Sequence, residues 1–462
     1  MKKTIALGAA ALILLSIAGC SSGGSSAPTA GAGAGASAPG PSALSDVKGV
    51  TDITFWHGLG GINAQALQSL VDEFNSENAG KIHVDTSAQG SYPDLLAKYT
   101  ASLRDKSTPT VTLSNDISSG FLNDVKRSVS PEAMAAANPK DLDLGQLSPA
   151  GKRYYSVSGK LVAVPMNMST PLLFVNTGLL KQAGVDTASL DTLKGLSEAA
   201  TKIHTATGVA GIAEAFDDWW FEQLSATSGN LFCTPGNGRD GNGADKVSLS
   251  QPSQVAAFST MANLYTSGVG LNVGTDNNNA VTAFAAGKTA MMFNSSAVAA
   301  SVAQSTSFDY QALPFPLSAP TSKAGTVVGG SAMWLSNTAT PAQQVAGWKL
   351  ISFLASAKSQ ATFSEATGYV PANTALENTS ARKDYLASHP VAQVAIDQVK
   401  HVTDVPASHG CFTGAFSAIR AAVIPEMQAA FSGSKTMKQA VADATTASNQ
   451  AIADYKQQLG AQ

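Results

Sequence analysis

Five alternating strand and helix signals near the start of the globular region constrain this chain most. Residues 52–56 read as a strand, and 64–78 carry Leu67, Leu70, Val71 and Phe74 at helical spacing, with Asp72 and Glu73 beside them. Residues 81–86 read as a second strand, 92–105 as an amphipathic helix with Leu95, Leu96, Tyr99 and Leu103, and 110–113 as a third strand. A β-α-β-α-β run predicts an α/β fold around a parallel sheet with right-handed crossovers. Ligands of open parallel sheets collect outside the carboxyl ends of the strands. Here those ends carry Trp56-His57-Gly58, Gln89-Gly90-Ser91-Tyr92 and Asn115-Asp116, polar and aromatic groups suited to a small ligand. Loops are polar in any case, so the same residues also fit plain connections.

The stretch 159–176 behaves differently. Leu161, Val162, Val164 and Met166 precede Asn167-Met168-Ser169-Thr170-Pro171, and Leu172, Leu173, Phe174 and Val175 follow. Two apolar runs broken by a polar segment and a proline suit a strand passing from one lobe into another. In 327–335, Gly329-Gly330-Ser331 interrupts apolar residues and supplies a second such crossing. Paired crossings predict discontinuous lobes joined by a hinge, with a cleft that closes on a ligand.

The amino terminus supplies an address. Lys2 and Lys3 precede a short apolar run over 4–18, and Ile17-Ala18-Gly19-Cys20 places small residues before a cysteine. Fifteen residues span a bilayer poorly, so the segment reads as a signal peptide over 1–19. Its end resembles the bacterial lipobox, which implies lipidation of Cys20 and anchoring at the outer face of the cytoplasmic membrane; an ordinary signal peptide is the alternative. Residues 21–43 hold only Ser, Gly, Ala, Pro and one Thr, too little apolar surface to offset ordering. A tether over 20–49 is expected, with globular packing from about Val47. Cys233 and Cys411 remain in an exported chain, either bonded to one another or buried as two thiols.

Composition excludes several classes. The 29 basic residues balance 32 acidic ones, a net charge of −3 without the clustered basic footprint of a nucleic-acid binder. Three cysteines do not make a disulfide mini-scaffold or a four-cysteine zinc site. His57, His83, His204, His389, His401 and His409 are scattered, so no metal or other cofactor is expected. His-Glu-x-x-His and Cys-x-x-Cys are absent from the sequence, and Gly-x-Ser-x-Gly occurs only as Gly19-Cys20-Ser21-Ser22-Gly23, across the end of the expected signal segment and not between a strand and a helix. Gly236–Gly241 satisfies G-x-G-x-x-G without a helix to follow, and reads as a surface loop. Asp217, Asp218 and Glu222 offer carboxylates for glycoside hydrolysis, although Asp218 and Glu222 at helical spacing equally mark a solvent-facing turn.

Phe55-Trp56-His57, Phe74-Asn75-Ser76-Glu77-Asn78, Asn167-Met168-Ser169-Thr170-Pro171, Gly287-Lys288-Thr289-Ala290-Met291, Gly329-Gly330-Ser331 and Thr367-Gly368-Tyr369-Val370-Pro371 resemble the extracellular solute-binding proteins of ABC importers. Within that family they are most similar to the branch for sn-glycerol-3-phosphate and glycerophosphodiesters. The resemblance implies a type II periplasmic-binding-protein fold, with one lobe over 50–166 plus 290–330 and the other over 167–289 plus 331–462. It implies ligand contacts from Tyr92, Asp116, Ser169, Trp219, Trp220, Ser295 or Ser296, Gly330 and Tyr369. The family's phosphate-facing arginine falls near Phe412, and losing a bidentate donor weighs against a bare phosphomonoester. Arg420 then points elsewhere on its helix. Tyr and Trp offer flat faces to sugar or glycerol C–H surfaces, Asp116 accepts from hydroxyls, and Gly330 lets backbone approach a ligand. The expected function is non-enzymatic capture of a glycerophosphodiester, glycerol-3-phosphate or related polyol by a monomer, for delivery to a membrane permease. An extracellular carbohydrate-active hydrolase and a surface scaffold are the alternatives.

Overall fold

The expected alternation folds as two sheets. The computed structural model describes residues 38–318 and 322–460; residues 1–37, and with them Cys20 and most of the expected tether, lie outside the described residues. The strands of the two sheets are β1 (Thr51–His57), β2 (Ile82–Ala88), β3 (Val111–Asn115), β4 (Val164–Ser169), β5 (Pro171–Asn176), β6 (Ala210–Glu214), β7 (Gly270–Asn272), β8 (Thr289–Ser295), β9 (Tyr310–Pro314), β10 (Gly329–Leu335) and β11 (Val370–Pro371). The first sheet runs β11-β4-β10-β3-β1-β2 and the second β7-β6-β8-β5-β9. β1 lies parallel to β2 and β3, while β10 returns antiparallel between β3 and β4. In the second sheet β6 is parallel to β7 and β8, and β5 is antiparallel to β8 and β9.

Helices cover both faces, which is why β3, β4 and β5 are buried along their whole length. The helix Gly61–Glu77 buries Leu67, Leu70, Val71 and Phe74, the stripe its periodicity predicts. Each such side chain contributes about 1.5–3 kcal/mol when fully buried. Phe55, Leu113, Trp334 and Trp348 anchor the first core, and Phe221, Phe258, Phe293 and Phe416 the second. A third core, with Met168, Leu172, Phe174, Val370 and Ile396, joins residues of both sheets where the chain crosses.

Three segments carry the chain between the sheets. β4 passes into β5 through Thr170 alone, β9 returns to β10 through 315–328, and after β11 the chain runs to Phe416–Phe431 and Met437–Gly460, which pack on the second core. The strand partners correct the expected grouping. β8 and β9 belong to the second sheet although 290–330 was assigned to the first lobe, and β10 and β11 belong to the first although 331–462 was assigned to the second. Apolar strands buried on both faces look alike in sequence, so periodicity finds them without naming their partners. Packing also begins before Val47. Ala38 and Leu44 touch the first core, and Asn138 Nδ2 donates to the Pro39 carbonyl at 3.0 Å, so the far end of the expected tether is held. Cys233 and Cys411 are bonded, with their Cα atoms 5.6 Å apart. Gly236–Gly241 is not a plain surface loop: Asn237 is buried, and its side-chain oxygen accepts from the Phe232 and Cys233 amides.

Two acids sit inside the second half. Burial pushes Glu214 up to about 8. It does the same to Glu222, against the Cys411 amide that donates to it at 2.8 Å. Both are neutral in the fold where the unfolded chain, at 4.5, is ionised. The fold therefore binds more protons, and their contribution to stability is lost as pH rises from about 4.5 to about 8. In Glu214→Gln, the loss of unfolding free energy between about pH 5 and about pH 8 is expected to shrink by roughly 1 kcal/mol or more relative to wild type. Equal slopes in denaturant titrations would mean that the carboxyl is ionised in the fold.

Candidate functional site

A cavity of about 400 Å³ opens at the carboxyl ends of the parallel strands of both sheets. From the first sheet come Asn115 and Asp116 as the chain leaves β3, Ser169 at the end of β4, Gly329 and Gly330 at the start of β10, and Tyr369 just before β11. Tyr92 is the first residue of the helix Tyr92–Asp105, set by a capping box in which Ser91 Oγ accepts from the Asp94 amide while Asp94 accepts from the Ser91 amide. From the second sheet come Asn294 and Ser295 at the end of β8 and Trp219 in the first turn of Asp218–Thr227. Asp217 caps that turn by accepting from the Trp219 amide at 2.9 Å. Asn277 and Asn278 open the helix Asn277–Ala285, and Arg420 projects from Phe416–Phe431.

Tyr92, Asp116, Ser169, Trp219, Ser295, Gly330 and Tyr369 thus meet around one cavity. Trp220 does not. It is 2% exposed and stacks on Phe293 and Phe315 at centroid distances of 5.8 and 6.1 Å, because consecutive helical residues point about 100° apart. Ser296 is fully buried at the crossing, where its Oγ accepts from the Thr170 amide and its own amide donates to the Thr170 carbonyl. Phe412 is buried too, and its ring and that of Tyr154 flank the Arg239 guanidinium at 4.7 and 4.4 Å. Arg239 donates to the carbonyls of Tyr154, His409 and Gly410, so this cation is spent on backbone.

Gly330 lines the cavity for a different reason than expected. It has φ of +133°, and a Cβ there would lie 2.2 Å from the Asn167 carbonyl oxygen. The missing side chain makes room for β4, not for a ligand. Glu222 is buried against the Cys411 amide, so it faces neither solvent nor the cavity.

The sequence offers Asp217 only as a hydrolytic carboxylate and turns Arg420 away on its helix, whereas both line the cavity, together with Asn63 and Asn277, which it does not single out. Asn63, Asn277, Asp217 and Arg420 sit on first turns or mid-helix, where a capping residue and a ligand contact look the same. Asp276-Asn277-Asn278 before an apolar helix was the available signal: Asp276 accepts from the Asn278 amide and aims the helix start at the cavity.

One guanidinium among the described lining residues faces two carboxylates. Arg420 Nη2 lies 2.6 Å from Asp217 Oδ1. Burial raises Asp116 to about 6, with Arg420 pulling it back down. Asn63 Oδ1, Asn277 Oδ1 and Trp219 Nε1 are buried without a hydrogen-bond partner among the described residues. An unmet buried polar atom costs about 1–3 kcal/mol, so these acceptors and this donor favour a solute bearing hydroxyls. No group of three or more His, Cys, Asp or Glu placed to hold a metal occurs among the described residues. Nor is any described helix long and apolar enough to cross a membrane.

The bacterial extracellular solute-binding protein family matches residues 69–390. The chain belongs to that family. It is 26% identical over 425 residues to the sn-glycerol-3-phosphate-binding periplasmic protein UgpB of Escherichia coli, covering 90% of this chain and 96% of the relative. The Salmonella typhimurium protein of the same name is 26% identical over 415 residues, covering 88% and 94%. Among solved structures, Mycobacterium tuberculosis UgpB in complex with glycerophosphocholine superposes with a TM-score of 0.73 at 20% identity, over 88% of this chain and 99% of that one. The Streptomyces glaucescens GacH receptor, solved unliganded and with acarbose, gives 0.73 at 21% identity over 87% and 98%. The solute-binding protein described here thus has the type II periplasmic-binding-protein fold, and its curated relatives are binding proteins, not enzymes.

Adjacent tryptophans with opposite surroundings give a test. Trp220→Ala empties a core position and is expected to cost about 3–5 kcal/mol in denaturant unfolding. Trp219→Ala is expected to cost far less and to weaken solute binding instead. The reverse pattern would put the wrong indole in the cavity.

Proposed function

We propose that this chain is the lipid-anchored receptor of an ABC importer, capturing a neutral or zwitterionic polyol between its two sheets and delivering it to a permease. The solute is of the glycerophosphodiester or sugar class. The observation that carries this reading is the Arg420–Asp217 pair facing Asp116. A phosphomonoester dianion entering there meets two carboxylates and a guanidinium already engaged, whereas a diester carries one charge and a sugar none. The aromatic faces of Tyr92, Trp219 and Tyr369 suit glycerol and sugar C–H surfaces, or a quaternary ammonium. The names of the relatives support glycerol-phosphate chemistry, and acarbose in a neighbour of the same fold supports a neutral sugar arm in any test.

Calorimetric titration of the soluble chain with glycerophosphocholine, glycerol-3-phosphate and a disaccharide panel decides among them. Binding of glycerophosphocholine or a neutral sugar at least about tenfold tighter than glycerol-3-phosphate is expected, a difference of about 1.4 kcal/mol. Preference for the phosphomonoester would overturn the electrostatic reading, and release of a hydrolysed product would make the chain an enzyme. Tyr92→Ala and Tyr369→Ala are each expected to weaken binding of the preferred solute by about tenfold or more while leaving the fold intact.

The state of Asp116 adds a pH dependence. Ligand hydroxyls donate to the carboxylate, so binding favours the ionised form. Affinity is therefore expected to fall about tenfold between about pH 7.5 and about pH 5, as a group near 6 takes up its proton. Asp116→Asn removes that slope if the carboxylate is the acceptor; an identical slope in the variant places the titration elsewhere.

A further inference from the structure

Gln398 lies outside the solute cavity, on the helix Pro390–His401, yet its carboxamide touches both of the first two crossings. Its Nε2 donates to Thr170 Oγ1 at 2.5 Å and to the Pro171 carbonyl at 2.6 Å, on the crossing from β4 to β5. Its Oε1 accepts from the Phe315 amide at 2.7 Å, where the chain leaves β9 for β10. Both N–H donors and the acceptor of the side chain are used. Thr170 Oγ1 also meets Thr326 Oγ1, on that second crossing, at 3.2 Å. The helix is fixed by Ala395, Ile396 and Val399, which pack in the core holding Met168 from β4, Leu172 and Phe174 from β5 and Val370 from β11. The same side chain borders a separate cavity of about 510 Å³, with Leu313, Phe315, Thr326 and Val394. Close packing is thus interrupted beside the crossings, and the hydrogen bonds carry their alignment there.

We propose that Gln398 is a positioning residue for solute capture: its carboxamide staples the two crossings together and narrows the range of angles the sheets adopt. The inference rests on the reading of the two sheets as halves that close on a solute. A narrower range leaves less orientational freedom to lose on closure, so the affinity of the cavity depends on a residue that never touches its ligand. Thr170 is the whole of the first crossing, so a restraint on its hydroxyl acts on the joint itself.

The test uses the full mature chain without ligand, carrying spin labels on Ser69→Cys and Lys288→Cys, exposed positions beside the first and the second sheet. Gln398→Ala and Gln398→Glu are compared with the wild-type residue; the glutamate keeps the acceptor for Phe315 and loses both donors. The inter-label distance distribution is expected to broaden about twofold in Gln398→Ala and by less in Gln398→Glu. Glycerophosphocholine titrated into the same proteins is expected to bind about fivefold or more weakly to Gln398→Ala. A purely structural role lowers the melting temperature of both variants and leaves the width of the distribution unchanged, and that result overturns the proposal. Failure of wild type to bind glycerophosphocholine counts against the proposed solute class alone, since the distance measurement needs no ligand.

Discussion

The molecule depends on how β4 and β10 are tied at the point where the chain changes sheets. Asn167 Oδ1 accepts from both the amide and the hydroxyl of Ser331, at 2.9 and 3.1 Å, across a register shift between Ser331 and Ala332. The shift requires Gly330 in a conformation that a side chain resists, because the Asn167 backbone fills the space a Cβ would take. The Asn-Met-Ser-Thr-Pro and Gly-Gly-Ser segments, remote in sequence, are therefore two halves of one joint. Ser169, Gly329 and Gly330 come out of that joint at the cavity wall, so the device that joins the sheets also shapes what they hold.

The joint is polar where the surrounding cores are not. Thr170 is fully buried with its amide, carbonyl and hydroxyl all bonded, to Ser296, Thr326 and Gln398. Gln223 holds the second crossing by donating to the Val327 carbonyl and accepting from the Val327 amide. Polar groups buried and fully met restrict a structure to few arrangements, whereas an apolar seam tolerates sliding. The cavity nearby is the reverse case: Asn63, Asn277 and Trp219 hold buried atoms unmet among the described residues. Stability given up at the site and regained at the joint is the usual division between a binding surface and its scaffold.

Much of this was legible in order but not in partnership. The helix-period stripe in 64–78, the helix from Tyr92 and the proline at 171 each act locally, and each appears where it was expected. Strand partners are non-local, so β8 and β9 were placed in the wrong half. Within the site, residues at strand ends followed from the carboxyl-end rule. Trp220 and Ser296 failed because a neighbour one position away turns to the other side of its element. The pairing of Arg420 with Asp217 at the cavity was not legible because only the tertiary fold brings the helix Phe416–Phe431 against the start of Asp218–Thr227.

Two partly buried arginines bear on the proposed preference against a phosphomonoester. A guanidinium largely withdrawn from water needs a partner, and it leaves that partner only for a better one. Arg239 beside Phe412 is committed to three carbonyls and held between two rings, so it cannot turn to a ligand without exposing all of them. Arg420 does reach the cavity, but Asp217 is fixed as a helix cap and returns its charge at 2.6 Å. An anion there competes with a preorganised carboxylate while feeling the field of Asp116. On the same reading hydroxyl groups face no such contest, since Asp116 is there to accept and Trp219 to donate while the ion pair stays intact. On the proposed reading, discrimination against phosphomonoesters needs no clashing side chain, because Asp217 already engages the guanidinium that a phosphate would seek.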